Sequence, residues 1–163
     1  MVLPKPEGRP DLFGGRSAIQ KLPHRPDAFF SLAIEGDPEP KHYLYEADRK
    51  TSNATRFKQK LRAHFHFIVK QRKHEKAYGV KRIRAVVVET LDPNWAEHLR
   101  REAGDPVVSG APSALFWFTP TNLLTKPVEV SGKSLPLFLH SPGVIFDKRF
   151  ATPVDDNLYS LLD

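Results

Sequence analysis

Two apolar stretches near the start of the chain predict a β-hairpin. The stretches 28–34 and 42–47 are rich in aromatic and aliphatic residues, which is typical of strands. The six residues between them, 35–40, are Glu-Gly-Asp-Pro-Glu-Pro, a turn-forming composition. Because so short a polar connection leaves no room for a crossover, we expect the two strands to pair antiparallel.

Later stretches continue the sheet. The valine-rich stretch 82–90 predicts a buried central strand, and 114–119 predicts another strong strand. A short helix is predicted over 94–103, where a Gly-Asp-Pro sequence follows. The stretch 135–139 has strand-like residues, but Pro136 would confine it to a sheet edge, since proline cannot donate to a strand ladder.

Between the hairpin and the valine-rich strand, the pattern becomes helical. The stretch 53–76 contains no Pro or Gly, and residues 51–53 are Thr-Ser-Asn, which are good helix N-caps. At 100° per residue the wheel puts Gln59, Arg62 and His66 opposite the apolar face. The apolar residues that define that face are Phe57, Leu61, Phe65, Phe67 and Ile68.

The order strand, strand, long basic helix, strand, helix, strand predicts an α/β fold with a mixed sheet flanked by helices on its faces. We expect one domain over 26–163, preceded by a Pro- and Gly-rich arm or linker at 1–25. No apolar run is long enough for a membrane helix, and no secretion signal opens the chain, so we expect a cytoplasmic protein. The chain has no cysteine, so a bound metal would be held by oxygen or imidazole.

Basic residues are concentrated in one part of the chain. The formal net charge is +6, and residues 49–84 hold 13 of the 25 Lys and Arg but only one acid, Glu75. A solvated helix face would also be charged, but it would normally interleave acids and bases. The concentration therefore predicts binding to a polyanion, with DNA as the expected partner. The candidate DNA-binding residues are Arg49, Lys50, Arg56, Lys58 and Arg62.

Three carboxylates are expected to converge at one end of the hairpin. Glu46 and Asp48 are two apart, so they share a face of the second strand, and Asp27 begins the first strand. Such a cluster favours a divalent cation, and Mg²⁺ or Mn²⁺ suits oxygen ligands. Taken singly, each acid also has an ordinary interpretation: Asp27 as a turn cap, Glu46 as a surface residue of the strand and Asp48 as a helix cap. Lys60 lies within the apolar arc of the helix, so it must either snorkel to solvent or point at something negative.

These residues resemble a known superfamily, the PD-(D/E)XK or restriction-endonuclease-like nucleases. Residues 26–70 are most similar to the replication-relaxation family of plasmid and mobile-element proteins. That family has a Pro-Asp that opens a strand, a Glu-x-Asp-Arg-Gly-Thr-like run and a helix with a Lys-Leu-x-x-aromatic pattern. Here they read Pro26-Asp27, then Glu46-Ala47-Asp48-Arg49-Lys50-Thr51, then Lys60-Leu61 followed by Phe65.

The resemblance implies a metal-dependent DNA endonuclease or nickase that acts in replication or transfer of a mobile element. Asp27 and Glu46 would hold the metal, with Asp48 assisting, and Arg49 would contact phosphate. Asp48 occupies the position of the usual lysine, so the resemblance implies that Lys60 has taken over that role from the helix. An upstream winged-helix region or a partner protein is also implied.

Three other functions are compatible with the sequence. The first is a catalytically inactive DNA-binding accessory domain of the same fold. The second is an HUH-type nickase that binds a metal through His64 and His66 and uses a tyrosine such as Tyr78 as nucleophile. This nickase needs both histidines on one face of a strand, whereas the pattern predicts a helix there. The third is a protein-interaction domain. Neither the DNA preference nor the oligomeric state follows from the sequence.

Overall fold

The computed structural model describes residues 2–3, 20–21, 24–50, 53–90, 92–119, 127–130, 133–136 and 147–163. Most of the predicted arm, and the residues 137–139 of the predicted edge stretch, lie outside this part. The described strands are β1 (Val2–Leu3), β2 (Gln20–Lys21), β3 (Ala28–Leu32), β4 (Lys41–Asp48), β5 (Ala85–Thr90), β6 (Phe116–Thr119), β7 (Pro127–Val130), β8 (Lys133–Pro136), β9 (Phe150–Ala151) and β10 (Leu158–Tyr159). The α-helices are α1 (Ala54–Phe65), α2 (Lys73–Tyr78), α3 (Pro93–Ala103) and α4 (Pro106–Ser109).

Six of these strands form one mixed sheet in the order β10-β9-β6-β5-β4-β3. Strands β4, β5 and β6 run parallel, and β3 pairs antiparallel with β4. The predicted hairpin, the mixed sheet and the central position of the valine-rich strand are therefore confirmed. Strand β5 is buried along its whole length, because it is paired on both sides and covered on both faces.

The two faces of the sheet carry two separate apolar clusters. On one face, residues such as Leu44 and Val86 pack with residues of α1, α3 and α4, including Leu61 and Leu99. On the other face, Trp117 packs with a second, more aromatic cluster that includes Tyr43, Phe150 and Leu161. Alternate residues of each strand supply the two clusters, as strand geometry requires. The described helices of the core thus lie on the face to which Glu46 also belongs.

The long basic helix is interrupted, which the wheel did not predict. Helix α1 starts at the N-cap Asn53, whose side chain accepts from the Arg56 N–H at 2.8 Å. It continues as a π-helical turn, His66–Lys70. Arg72 then takes a left-handed backbone conformation (φ 49°) just before α2. Since a π turn holds one more residue than an α turn, it rotates the residues after it relative to a 100° wheel. No helix in the described part is long and apolar enough to cross a membrane.

Candidate active site

The hairpin register brings Asp27 opposite Glu46. Ala28 pairs with Tyr45, and one step before it the Asp27 N–H donates to the Tyr45 carbonyl at 3.0 Å. The Asp27 carboxylate then accepts from the Ala47 N–H at 2.9 Å, which fixes it at the carboxyl end of β4. Two acids from neighbouring strands therefore lie on the same sheet face, below α1.

Glu46 is buried beneath that helix. It is 2% exposed, and its Oε1 is hydrogen-bonded to His64 Nε2 at 2.6 Å, while its Oε2 contacts Lys60 Nζ. Burial raises the pKa of Glu46 to about 8, although Lys60 acts in the opposite direction. Burial likewise lowers the pKa of His64 to about 3. In the metal-free protein both groups are therefore mainly neutral at pH 7, and the carboxyl O–H can donate to the unprotonated His64 Nε2.

Lys60 joins the two acids. Its ammonium contacts Glu46 Oε2 and lies 3.9 Å from Asp27 Oδ2, while 39% of its side chain stays exposed to solvent. Lys60 and His64 are four residues apart on α1, so their side chains point the same way, towards β4. Lys60 was expected either to snorkel to solvent or to point at something negative, and the structure shows the second arrangement.

Asp48 lies on the same strand face but makes different contacts. Its Oδ1 accepts from the Trp95 indole N–H at 2.9 Å and from the Lys50 N–H at 2.7 Å. Asp48 therefore links the end of β4 to α3, and the structure shows no contact between it and Glu46, Asp27 or Lys60. In the part of the chain that the structure describes, no group of three or more Asp, Glu or His side chains is arranged to hold a metal ion.

Lys50 follows this site in a left-handed backbone conformation, at φ 63°. The resemblance described above places a glycine here, and glycine adopts such a conformation without steric cost. Lys50 instead forms an exposed ion pair with Asp92 at 3.0 Å, and its ammonium lies 5.7 Å from the centre of the Trp95 ring.

We expect Lys50→Gly to stabilise the fold by about 0.5–1 kcal/mol, because relief of the left-handed strain exceeds the loss of a surface ion pair. Arg72→Gly is the matched variant, since Arg72 has φ 49° and also forms an exposed ion pair, with Glu75. Urea unfolding of both variants measures the effect. A loss of stability in Lys50→Gly together with a gain in Arg72→Gly would show that the contacts of Lys50 with Asp92 and Trp95 outweigh its strain.

The five candidate DNA-binding residues do not share one surface. Arg49, Lys50 and Arg56 are exposed. Lys58 is mostly buried and binds Asp105 at 2.9 Å as well as Glu102. Arg62, which the wheel placed on the outer side, is buried, and burial lowers its pKa. The physical reason is that α1 packs against α3 and α4 as well as the sheet, so its buried arc is wider than the apolar residues indicate.

The two histidines of the alternative nickase site lie on helical backbone. His64 is in α1 and is buried against Glu46, and His66 begins the π-helical turn. They therefore do not share a strand face, which an HUH site requires. Tyr78, the candidate nucleophile of that site, ends α2 and stacks on Phe29 with ring centroids 4.6 Å apart.

Two residues of the site were not predicted as part of it, since the sequence placed His64 only in the alternative nickase site. His64 carried a usable signal, because it lies four residues after Lys60 and on the same arc of the wheel. His24 carried none. Its ring stacks on Phe67 with centroids 3.6 Å apart and meets the His64 ring edge-on at 4.7 Å. Burial lowers the pKa of His24 to about 3, so the layer above Glu46 consists of neutral rings at pH 7.

The residues present fit a hard divalent cation better than a transition metal. Asp27 and Glu46 are two carboxylates that already share one cation, the Lys60 ammonium. Mg²⁺ commonly uses only one or two protein carboxylates and completes its shell with water and substrate phosphate. Zinc sites use three or four protein donors, and the described residues contain no group of three arranged to hold a metal. Comparison with protein-family models, with curated proteins and with solved structures finds no match to this chain.

Proposed function

We propose that the chain is a metal-dependent DNA endonuclease or nickase domain of the restriction-endonuclease-like fold. The observation that carries this proposal is the meeting of Asp27, Glu46 and Lys60, which come from three different elements and contact one another at the carboxyl end of β4. Two carboxylates with a lysine are a group that phosphodiester hydrolysis can use. The resemblance to the replication-relaxation proteins identifies the same three residues and suggests a role in a mobile element.

Two further features support this assignment. The element order hairpin, helix, parallel strand puts β4 beside β5 and covers the acids with α1. The left-handed conformation of Lys50 is the one that a glycine would favour, and the resemblance places a glycine at this position. Two exposed arginines are close in sequence to the acids: Arg49 directly follows β4, and Arg56 lies in the first turn of α1.

In this proposal Asp27 and Glu46 hold Mg²⁺ or Mn²⁺. When bound, the cation would supply a water of lowered pKa and would stabilise charge on the phosphate. The protein groups have separate tasks. His64 fixes the orientation of the Glu46 carboxyl through the 2.6 Å hydrogen bond, and burial keeps bulk water away from it. Lys60, which is partly exposed, would move from the carboxylates to the scissile phosphate.

Cleavage of supercoiled plasmid tests the proposal. We expect nicking by the wild type with Mg²⁺ or Mn²⁺ and none in EDTA. Lys60→Ala should slow nicking by about 10²-fold or more, because it removes a positive charge aimed at the reacting phosphate. Lys70→Ala is the matched control, since Lys70 is an exposed lysine further along the same helical stretch. Nicking that persists in EDTA, or that Lys60→Ala leaves unchanged, would contradict the proposal.

A second candidate, the inactive accessory domain, also has an observation in its favour. The ammonium of Lys60 contacts Glu46 and lies 3.9 Å from Asp27, and such a triad can simply hold α1 on the hairpin. This function predicts salt-sensitive DNA binding that needs no metal. Binding to DNA without cleavage by any divalent cation in the wild type would therefore favour it over the nuclease.

A further inference from the structure

A second concave site lies at the opposite end of the sheet. A cavity of about 630 Å³ opens where β4 and β5 begin, and its wall includes Lys41, Lys81, Arg82 and Arg84. Lys41 and Asp48 are the first and last residues of β4, so a rise of about 3.3 Å per residue separates the cavity from the Asp48 end by roughly 23 Å. The cavity is therefore distinct from the Asp27–Glu46–Lys60 site.

The charge of this cavity is positive. Four Lys or Arg side chains line it, against the two acids Glu39 and Asp163. Glu39 lies 3.8 Å from Lys81 and Asp37 lies 3.8 Å from Lys41, so two of the four bases have an acidic partner. Within the described residues, no carboxylate lies within ion-pair distance of Arg82 or Arg84, so two guanidinium groups lack an acidic partner there. A guanidinium is planar and carries several donors, which suits it to phosphate oxygens.

The backbone around the two arginines is well fixed. The Arg84 N–H donates to the His42 carbonyl at 2.7 Å, which ties the segment before β5 to the start of β4. The Arg84 guanidinium lies 5.3 Å from the centre of the Trp117 ring. His42 is itself held by a 2.7 Å hydrogen bond to the Ser31 hydroxyl. The wall is thus partly preorganised, which reduces the entropy lost when a ligand binds.

We propose that this cavity is an anion site that binds a phosphate group, carried either by a free nucleotide or by the end of a nucleic-acid strand. Its volume falls within the range of small-molecule sites, about 300–1,000 Å³, and is large enough for a nucleotide. The concave shape favours a compact phosphate over the side of a long duplex. The site uses neither Asp27 nor Glu46, so it does not depend on the proposed nuclease activity.

Calorimetric titration with AMP and with pyrophosphate tests the site. The double variant Lys81→Gln/Arg82→Gln changes two exposed side chains, so it should fold normally. We expect it to weaken binding by about 10-fold or more, because it removes charge-assisted hydrogen bonds. Lys70→Gln/Lys148→Gln is the matched control, since it makes the same change of net charge at two other exposed residues, and it should bind as the wild type does. Equal weakening in both variants, or no binding of either probe, would overturn the proposal.

Short oligonucleotides identify the source of the phosphate. A preference for a 5′-phosphorylated strand over its 5′-hydroxyl form, lost in Lys81→Gln/Arg82→Gln, would support a strand end as the ligand. AMP binding lost in the same variant, with no preference between the two strands, would support a free nucleotide. Glu46→Gln should bind both probes as the wild type does, so failure of this site and failure of the nuclease proposal are distinguishable.

Discussion

Glu46→Gln should abolish metal-dependent nicking while leaving the fold intact. In the proposed nuclease Glu46 holds the metal, and loss of such a carboxylate would cost several kcal/mol of transition-state stabilisation, a rate loss on the order of 10³-fold or more. The fold should tolerate the change because Glu46 is mainly protonated at pH 7 in the metal-free protein, with a pKa raised to about 8 by burial. A glutamine has nearly the same shape and is neutral as well.

Glutamine can also keep both polar contacts of the wild-type side chain. Its amide N–H can donate to His64 Nε2, as the carboxyl O–H does, and its oxygen can accept from Lys60. We therefore expect the free energy of unfolding at pH 7 to change by less than about 1 kcal/mol. Plasmid nicking and urea unfolding of the same preparation measure both quantities.

Two controls make the result specific. Glu39→Gln makes the same chemical change on the exposed turn before β4, and it should nick DNA at the wild-type rate. Asp27→Asn should resemble Glu46→Gln, because its remaining oxygen still accepts from the Ala47 N–H. Full activity of Glu46→Gln would contradict the assignment of the metal site. If Glu46→Gln is inactive because it is unfolded, Asp27→Asn decides whether this is the metal site, since that variant changes a half-exposed side chain.

The hairpin and its acids could be predicted because they depend on local features. The turn at 35–40 sets which residues pair, and the period of two in a strand sets which face each side chain takes. A slip of one residue would move Glu46 to the face that Tyr43 and Tyr45 now occupy, away from Lys60. The register observed puts Asp27 opposite Glu46, as the turn position indicates.

The parts of the site that depend on distant packing could not be predicted. Asp48 shares the face of Glu46, but the Trp95 indole from α3 reaches its carboxylate, and no local pattern indicates that contact. His24 belongs to a segment before the first strand of the hairpin, yet its ring covers His64 and Phe67. Its position results from tertiary packing, for which the surrounding Pro and Arg residues give no periodic signal.

Helix α1 shows a third reason why part of the site could not be predicted from the sequence. A 100° wheel describes a straight α-helix with one buried face, and it places Phe57, Leu61 and Phe65 of α1 correctly but not Lys58 and Arg62. Acidic residues of α3 and of the start of α4 reach Lys58, so a lysine that looks solvent-facing forms two ion pairs inside the fold. Arg62 is buried for a related reason. Charge along a helix therefore does not by itself show which side chains are exposed, because Lys58 is engaged within the fold and Arg62 is buried.

The stability of the metal-free protein should fall as pH rises from 6.5 to 8. Burial raises the pKa of Glu46 from 4.5 to about 8, so the folded state holds its proton at pH values where the unfolded chain has lost it. The stability that protonated Glu46 contributes is fully present below pH 4.5 and is lost as the pH rises through 8. The pKa values of His24 and His64 are lowered from 6.5 to about 3, so these groups destabilise the fold only as pH falls below 6.5.

Comparison of the wild type with Glu46→Gln isolates Glu46, because both proteins carry the same two histidines. At about 1.4 kcal/mol per pKa unit, we expect the wild type to lose about 2 kcal/mol relative to Glu46→Gln between pH 6.5 and 8. Urea unfolding in EDTA measures the loss, and Glu39→Gln should show the same loss as the wild type. Glu46→Gln cannot ionise at this position, so its stability should not fall over this range, and it should become the more stable protein at pH 8.5. Parallel curves for the wild type and Glu46→Gln would mean that Glu46 is already ionised at neutral pH as the partner of Lys60.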